Sequence, residues 1–258
     1  MKKKYFLYID ILGFADLVKQ DPSETEKLYN IINKLNVHSH DAFKTIVFSD
    51  TILVYNKVDV SSDHDHEYVV MYACEFVKDL MYHLSDKNRH FRAILTYDNF
   101  KHYNLKNVEC YYGDALVNCY YKEKEVNGIG LFIDKKIVKY NKIFPSVEYD
   151  KDLEYVCVLQ CFERLNDNTG GILPTKDLIS INDTDEYWAI KFELNILRDI
   201  YSNSIQHPNI GVRSKFLQTY QLYKNMFKPL LLAFEESNFD VITINPKANW
   251  NKIRDTYD

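Results

Sequence analysis

Asp10 and Asp50 stand forty positions apart, each inside an apolar strand pattern: YFLYIDILGF around the first, FKTIVFSDTILVY around the second. Each occupies a place where a half-buried strand would carry an apolar side chain. A buried carboxylate is costly unless something neutralises it. A single case reads as a satisfied core acid or a turn cap. Two, both near the ends of apolar runs, point to a shared divalent cation. Their hard oxygen ligands favour magnesium or manganese over zinc.

The elements that would position these acids can be read from periodicity. Residues 4–12 form a strand, and Gly13-Phe14 opens a helical stretch. Asp21-Pro22-Ser23 breaks it, and Ser23 with Glu26 offers a capping box for a helix over 24–36. Runs 43–49 and 51–57 are rich in β-formers, so Ser49-Asp50 reads as a hairpin turn. Residues 58–66 form a polar loop, whose Asp63, His64, Asp65 and His66 read as solvated surface rather than metal ligands. Val70, Ala73, Cys74, Val77, Leu80, Met81 and Leu84 recur at helical spacing within 67–85. A strand over 90–97, a helix from Gly113 to Glu125 and a strand over 128–134 follow. The order β-α-α-β-β-α-β-α-β implies an α+β fold, a ferredoxin-like or palm sheet (βααββαβ) with helices packed on it. In that arrangement the end of the first strand lies beside the second hairpin, so Asp10 and Asp50 would meet.

Residues 1–150 are therefore expected to be the catalytic domain. Residues 151–258 read as an appendage packed on it: a strand over 154–162, a loop NDNTGG over 166–171, and amphipathic helices over 185–206 and 211–235. The stripe Ile190, Phe192, Leu194, Ile196, Leu197 and Ile200 reads as core or interface. The 258 residues carry a net charge of −5 with both signs interspersed, which argues against broad nucleic-acid or membrane-surface binding. Five cysteines, an odd number without a CxxC pair, fit reduced thiols. No apolar run reaches membrane-span length and no signal-peptide core is present, so a cytoplasmic protein is the expectation.

The motifs resemble the class III nucleotidyl cyclases. DILGF is similar to that family's first metal motif, FSDTILVY to its second, and FRAILT to its fourth strand, which places Arg92 and Thr96. YYGDALVNCYYKE and GIGLFIDKKIV resemble the arm, helix and strand that follow, so the likeness covers about residues 4–140. Within the family, the look is nearest the pyrimidine cyclases of bacterial Pycsar anti-phage systems. The resemblance implies a homodimer with two interfacial active sites, each with two Mg2+ or Mn2+ ions held by Asp10, Asp50 and the Ile11 carbonyl. It implies that amides around Gly13, Phe14 and Ala15 hold the β- and γ-phosphates. The product, a 3′,5′-cyclic UMP or CMP, would be sensed by a separate effector protein.

Two departures from the family pattern matter. The family usually places Asn and Arg four residues apart on the helix after the arm. Here those positions hold Val117 and Tyr121, while Asn118 and Lys122 keep the spacing one residue along. Either Asn118 and Lys122 stabilise the transition state from the partner chain, or they are solvated helix positions. The base-reading positions correspond to Ile46 and Cys110. An aliphatic Ile46 cannot read a purine edge, so Arg92 and Thr96 are the expected contacts to a pyrimidine, with a structural ion pair as the other role for Arg92. The rival functions are a purine cyclase and a cyclase-like domain that binds nucleotide or a partner without turnover. A palm-type polymerase or nuclease is disfavoured by size and charge.

Overall fold

The computed structural model describes residues 1–175, 184–254 and 257. Two compact units divide the chain after Val158. The first unit is organised on β1 (Lys2–Ile11), whose Tyr5 to Ile9 are all buried. Both faces of the strand are covered, which explains a near-continuous apolar run in place of an alternating one. A left-handed Gly13 (φ 74°) turns the chain into α1 (Phe14–Gln20). Next comes α2 (Pro22–Lys34), which starts two residues earlier than its sequence suggests. Asp21, not Ser23, is the cap: its carboxylate accepts from the amides of Ser23 (3.0 Å) and Glu24 (3.3 Å).

β2 (Phe43–Phe48) and β3 (Thr51–Asn56) form the expected hairpin. α3 (Asp63–Ser85) is longer than expected, because Ser62 and Asp65 make a reciprocal capping box. Asp63 to His66 are therefore its first turn and not a loop. All seven of the periodic residues from Val70 to Leu84 are buried. β4 (Phe91–Asn104) outruns its expected end and pairs with the short β5 (Glu109–Tyr112) in a projecting hairpin. α4 (Asp114–Glu125) leads into β6 (Gly130–Asp134), then β7 (Ser146–Glu148) and β8 (Leu153–Val156).

The sheet order is β2-β3-β1-β4-β6-β8-β7, with β5 on β4. Only the β4–β6 pairing is parallel among the described pairs. This is the α+β arrangement the element order implies. β8 pairs with β6 and β7, so it belongs to the first unit's sheet and not to a C-terminal appendage.

The second unit, Leu159–Asp258, is helical among its described residues. The expected strand over 154–162 ends at Val156, and α5 (Gln160–Thr169) begins within it. α5 absorbs most of the expected NDNTGG loop and stops at left-handed Gly170. α6 spans Thr184–Gln206, and its apolar stripe is buried. Glu193, fully buried on α6, accepts from the Phe162 amide at 2.6 Å. Its charge answers the unpaired amides at the start of α5. The last long helix is two, α7 (Ile210–Met226) and α8 (Lys228–Glu236), because Pro229 suits a first turn and not a helix interior. No helix among the described residues is long and apolar enough to cross a membrane.

Candidate active site

Asp10 lies near the end of β1, opposite Thr51 of β3 on one side and Arg92 of β4 on the other. Strand alternation puts Tyr8 and Asp10 on one face with Arg92, Ile94 and Thr96. Asp50 arrives through the two-residue turn between β2 and β3. Ser49 holds φ 55°, an uncommon conformation for a residue with a Cβ. The turn is pinned from two directions. The Ile11 amide donates to the Asp50 carbonyl at 2.9 Å, and the Tyr29 hydroxyl donates to the Ser49 carbonyl at 3.1 Å. Asp50 is thus docked against the strand end that carries Asp10, as the two motifs suggest.

A third acid joins them. Glu123 of α4, 5% exposed, forms a close ion pair with Arg92. Arg92 Nη2 also lies 3.6 Å from Asp10 Oδ2, and its Nη1 donates to the Val126 carbonyl at 2.9 Å. Burial pushes the Asp10 carboxyl up to about 6, helped by the carboxylates of Glu123 and Asp50 and opposed by Arg92. Burial also raises the Tyr8 hydroxyl; a bond with Thr51 offsets part of this, and the Asp10, Glu123 and Asp50 charges add to it. Asp10 and Glu123 face the one guanidinium and the Asp50 charge acts on Asp10, which leaves surplus negative charge and spare oxygen lone pairs. That donor set fits a hard divalent cation. Among the described residues no group of three or more His, Cys, Asp or Glu could hold a metal ion, so the donor set is limited to the Asp10 and Asp50 pair.

The remaining candidates fall elsewhere. Asn118 Nδ2 donates to Asp98 Oδ2 at 3.2 Å, and Lys122 Nζ pairs with Asp134 Oδ2 at 3.0 Å. Thr96 Oγ1 donates to the same Asp134 oxygen at 3.5 Å. Asn118, Lys122 and Thr96 are thus satisfied within their own chain, around Asp98 and Asp134. Val117 and Tyr121 are exposed large side chains of α4, at 51% and 61%. Arg92 is 9% exposed, forms an ion pair with Glu123 and donates to the Val126 carbonyl. Ile46 is half-buried on β2, opposite Leu53, and Cys110 is half-buried on β5, opposite Tyr103. Strands β3, β1 and β4 lie between those two strands. Gly13 is exposed, and a Cβ there would meet nothing within 4 Å, so a ligand has open approach to the amides of Phe14 and Ala15.

Sequence reasoning missed Glu123 and Tyr8. A signal for Glu123 existed: Ala115, Cys119 and Glu123 repeat every fourth residue and are the buried stripe of α4. The charged KEKE run around it disguised the stripe as a solvated helix end.

No protein-family model and no curated protein matches the chain. Solved structures similar to it include the guanylyl cyclase Cya2 (15% identity, TM-score 0.43), over 60% of this chain and 91% of that one. The adenylyl cyclase CyaB from P. aeruginosa is similar at 13% identity and TM-score 0.45, over 60% of this chain and 94% of that one. So is the non-canonical dimeric guanylyl cyclase domain of the RhoGC fusion protein from the aquatic fungus Blastocladiella emersonii, at 14%, 0.45, 60% and 94%.

Proposed function

We propose that the chain is a nucleotide cyclase that converts a nucleoside triphosphate to its 3′,5′-cyclic monophosphate and pyrophosphate. The observation that carries this is the docking of Asp50 against the β1 end that bears Asp10, where carboxylates outnumber the counter-charge. The DILGF and FSDTILVY motifs supply those two residues. Bound Mg2+ or Mn2+, held by Asp10, Asp50 and the Ile11 carbonyl, would supply Lewis acidity toward the ribose 3′-hydroxyl and the leaving phosphates. Arg92 and Glu123 fix the wall of α4 behind Asp10 and restrict the carboxylate's orientation. The first-turn amides of Phe14 and Ala15, which follow the left-handed Gly13, would donate to phosphate oxygens.

The reading includes a two-fold dimer. Tyr103, Leu105, Val108 and Tyr112 on the β4–β5 hairpin are exposed, as are Val117 and Tyr121 on α4. Adjacent exposed apolar residues of this kind suit a second copy. A pyrimidine, UTP or CTP, is the proposed substrate. Ile46 supports it, having no polar atom to pair with a purine edge. Arg92 supports it less, since its Nη1 and Nη2 are engaged by the Val126 carbonyl and Glu123. A role as a second-messenger synthase in anti-phage defence, with a separate effector, rests on the Pycsar resemblance alone.

A second reading is favoured by one observation. Asn118 and Lys122 are engaged by Asp98 and Asp134 of their own chain, and apolar Val117 and aromatic Tyr121 are exposed on α4. That suits a domain that binds nucleotide without turning it over. Incubating the full chain with each of the four nucleoside triphosphates and Mn2+ separates the readings. Cyclic product from UTP or CTP supports the first. Nucleotide binding with no product from any of the four supports the second.

A further inference from the structure

At the opposite end of β1 from Asp10, the sheet opens into a cavity of about 500 Å3. Its lining includes Lys2, Lys4, Lys57, Lys101, Tyr55 and Phe100. Four lysines around one hollow are conspicuous in a chain of net charge −5. Asp59 is the one carboxylate that pairs with Lys2 and with Lys4. Glu109 is a second nearby acid, 2.7 Å from His102, which also lines the hollow. Asp98, opposite Lys4 across the β1–β4 pairing, is a third, and three acids against four ammonium groups leave an excess of positive charge.

The hollow is built and not merely a scatter of surface charge. The Lys4 side chain is only 12% exposed, and its ammonium is held by the carbonyl of Lys57 at 3.0 Å and by Asp59 at 3.1 Å. Tyr55 and Phe100 meet at 4.9 Å between ring centroids and form an aromatic wall. The Tyr55 hydroxyl is fixed to His102 Nδ1 at 2.5 Å. A fixed ring edge and face beside ammonium groups is the chemistry that receives a base or sugar next to a phosphate chain. The volume falls in the range of sites for small organic ligands. Lys4 and Asp10 are six strand positions apart, roughly 20 Å, so one mononucleotide cannot span both sites.

We infer that this cavity is a second binding site, distinct from the Asp10–Asp50 centre, for a small oligophosphate of nucleotide size. The inference does not depend on the cyclase reading. The test is calorimetric titration of the full-length chain with tripolyphosphate, and separately with UTP, in EDTA so that no divalent cation bridges to Asp10 and Asp50. Saturable binding is expected in the unmodified chain. Lys57→Ala with Lys101→Ala, both exposed positions, should weaken it at least tenfold. The Asp10→Ala, Asp50→Ala double variant should leave it unchanged, and so should Lys19→Ala with Lys151→Ala, a control for diffuse electrostatics. Equal affinity for tripolyphosphate and UTP would show that phosphate alone is read; tighter UTP binding would show that the aromatic wall reads the nucleoside. Absence of saturable binding overturns the inference. So does equal weakening by the two lysine pairs, or loss in the aspartate variant with retention in Lys57→Ala, Lys101→Ala. Activity plays no part in the readout, so a failed cyclase assay and a failed titration remain distinct results.

Discussion

At the scale of single residues, the acids around Arg92 have separable roles. Asp10→Ala and Asp50→Ala should each lower cyclisation at least about a hundredfold in Mn2+ while leaving the assembly folded, because each removes a cation ligand and not a packing group. Product formation with light scattering on the same samples checks this. Arg92→Ala should do something different. It leaves Glu123 buried and unpaired, at a cost of about 3–5 kcal/mol in urea unfolding. Arg92→Met combined with Glu123→Leu should recover most of that. If Arg92 serves structure, its loss should depress turnover of all four nucleotides alike; a selective loss with UTP and CTP would restore it as a base contact. Acidity gives a further check in EDTA. The Asp10 carboxyl titrates near 6 when folded, against 3.8 in an unfolded chain. Between those values the folded state holds a proton that the unfolded state has released, so this group's contribution to stability falls as pH rises from about 4 to about 6. Urea midpoints for Asp10→Asn should lack that slope, and added Mn2+ at neutral pH should raise the midpoint of the unmodified chain but not of Asp50→Ala.

At the scale of elements, the turn into α4 is the tightest point. Gly113 holds φ 151°, and a Cβ there would sit 2.2 Å from the Asn99 carbonyl oxygen and 2.8 Å from Phe100 Cα. Backbone atoms cannot retreat as a flexible side chain can. Gly113→Ala should therefore shift α4 off β4, separating Glu123 from Arg92, and thermal melts should show a loss well beyond the usual surface effect of about 0.5 kcal/mol. Most of these elements were legible. The periodicity of α3 and the hairpin of β2 and β3 depend on local patterns, and so did the approach of Asp50 to Asp10. What escaped depends on partners distant in sequence. Asn118 and Lys122 keep a helical spacing that suits an outward task, yet Asp98 and Asp134 of neighbouring strands claim them. Arg92 read as an available donor only while Glu123 was hidden in a charged run. The second-unit errors came from end signals: EYVCVLQCF holds a strand and a helix start with no polar break between them, and Pro229 was read through as interior.

At the scale of the whole molecule, every strand of the sheet lies before Val158, and the described remainder is helical. Residues 1–158 expressed alone should keep the sheet, with circular dichroism showing a lower helical fraction than the full chain and a cooperative melt. The exposed apolar residues of the β4–β5 hairpin and α4 belong to this part, so it should also keep any self-association. Tyr121→Asp should convert a dimer to a monomer by sedimentation, since a charge at that exposed ring would be buried without a partner.

The position of β1 also constrains how the protein is made. Its run Tyr5 to Ile11 leaves the ribosome well before one of its two neighbours, β4, where Phe6 pairs with Thr96. β3 can cover one edge once residue 55 has emerged, through Phe6 and Tyr55. The other edge waits about forty residues more, while the nascent chain carries an unpaired apolar strand, the feature most prone to misassociation during synthesis. Closing so long a loop is also slow. Asp10 therefore acquires its Arg92 neighbour only once β4 has been translated, and substitutions that delay β4 should show as poor soluble yield before they show as lost stability.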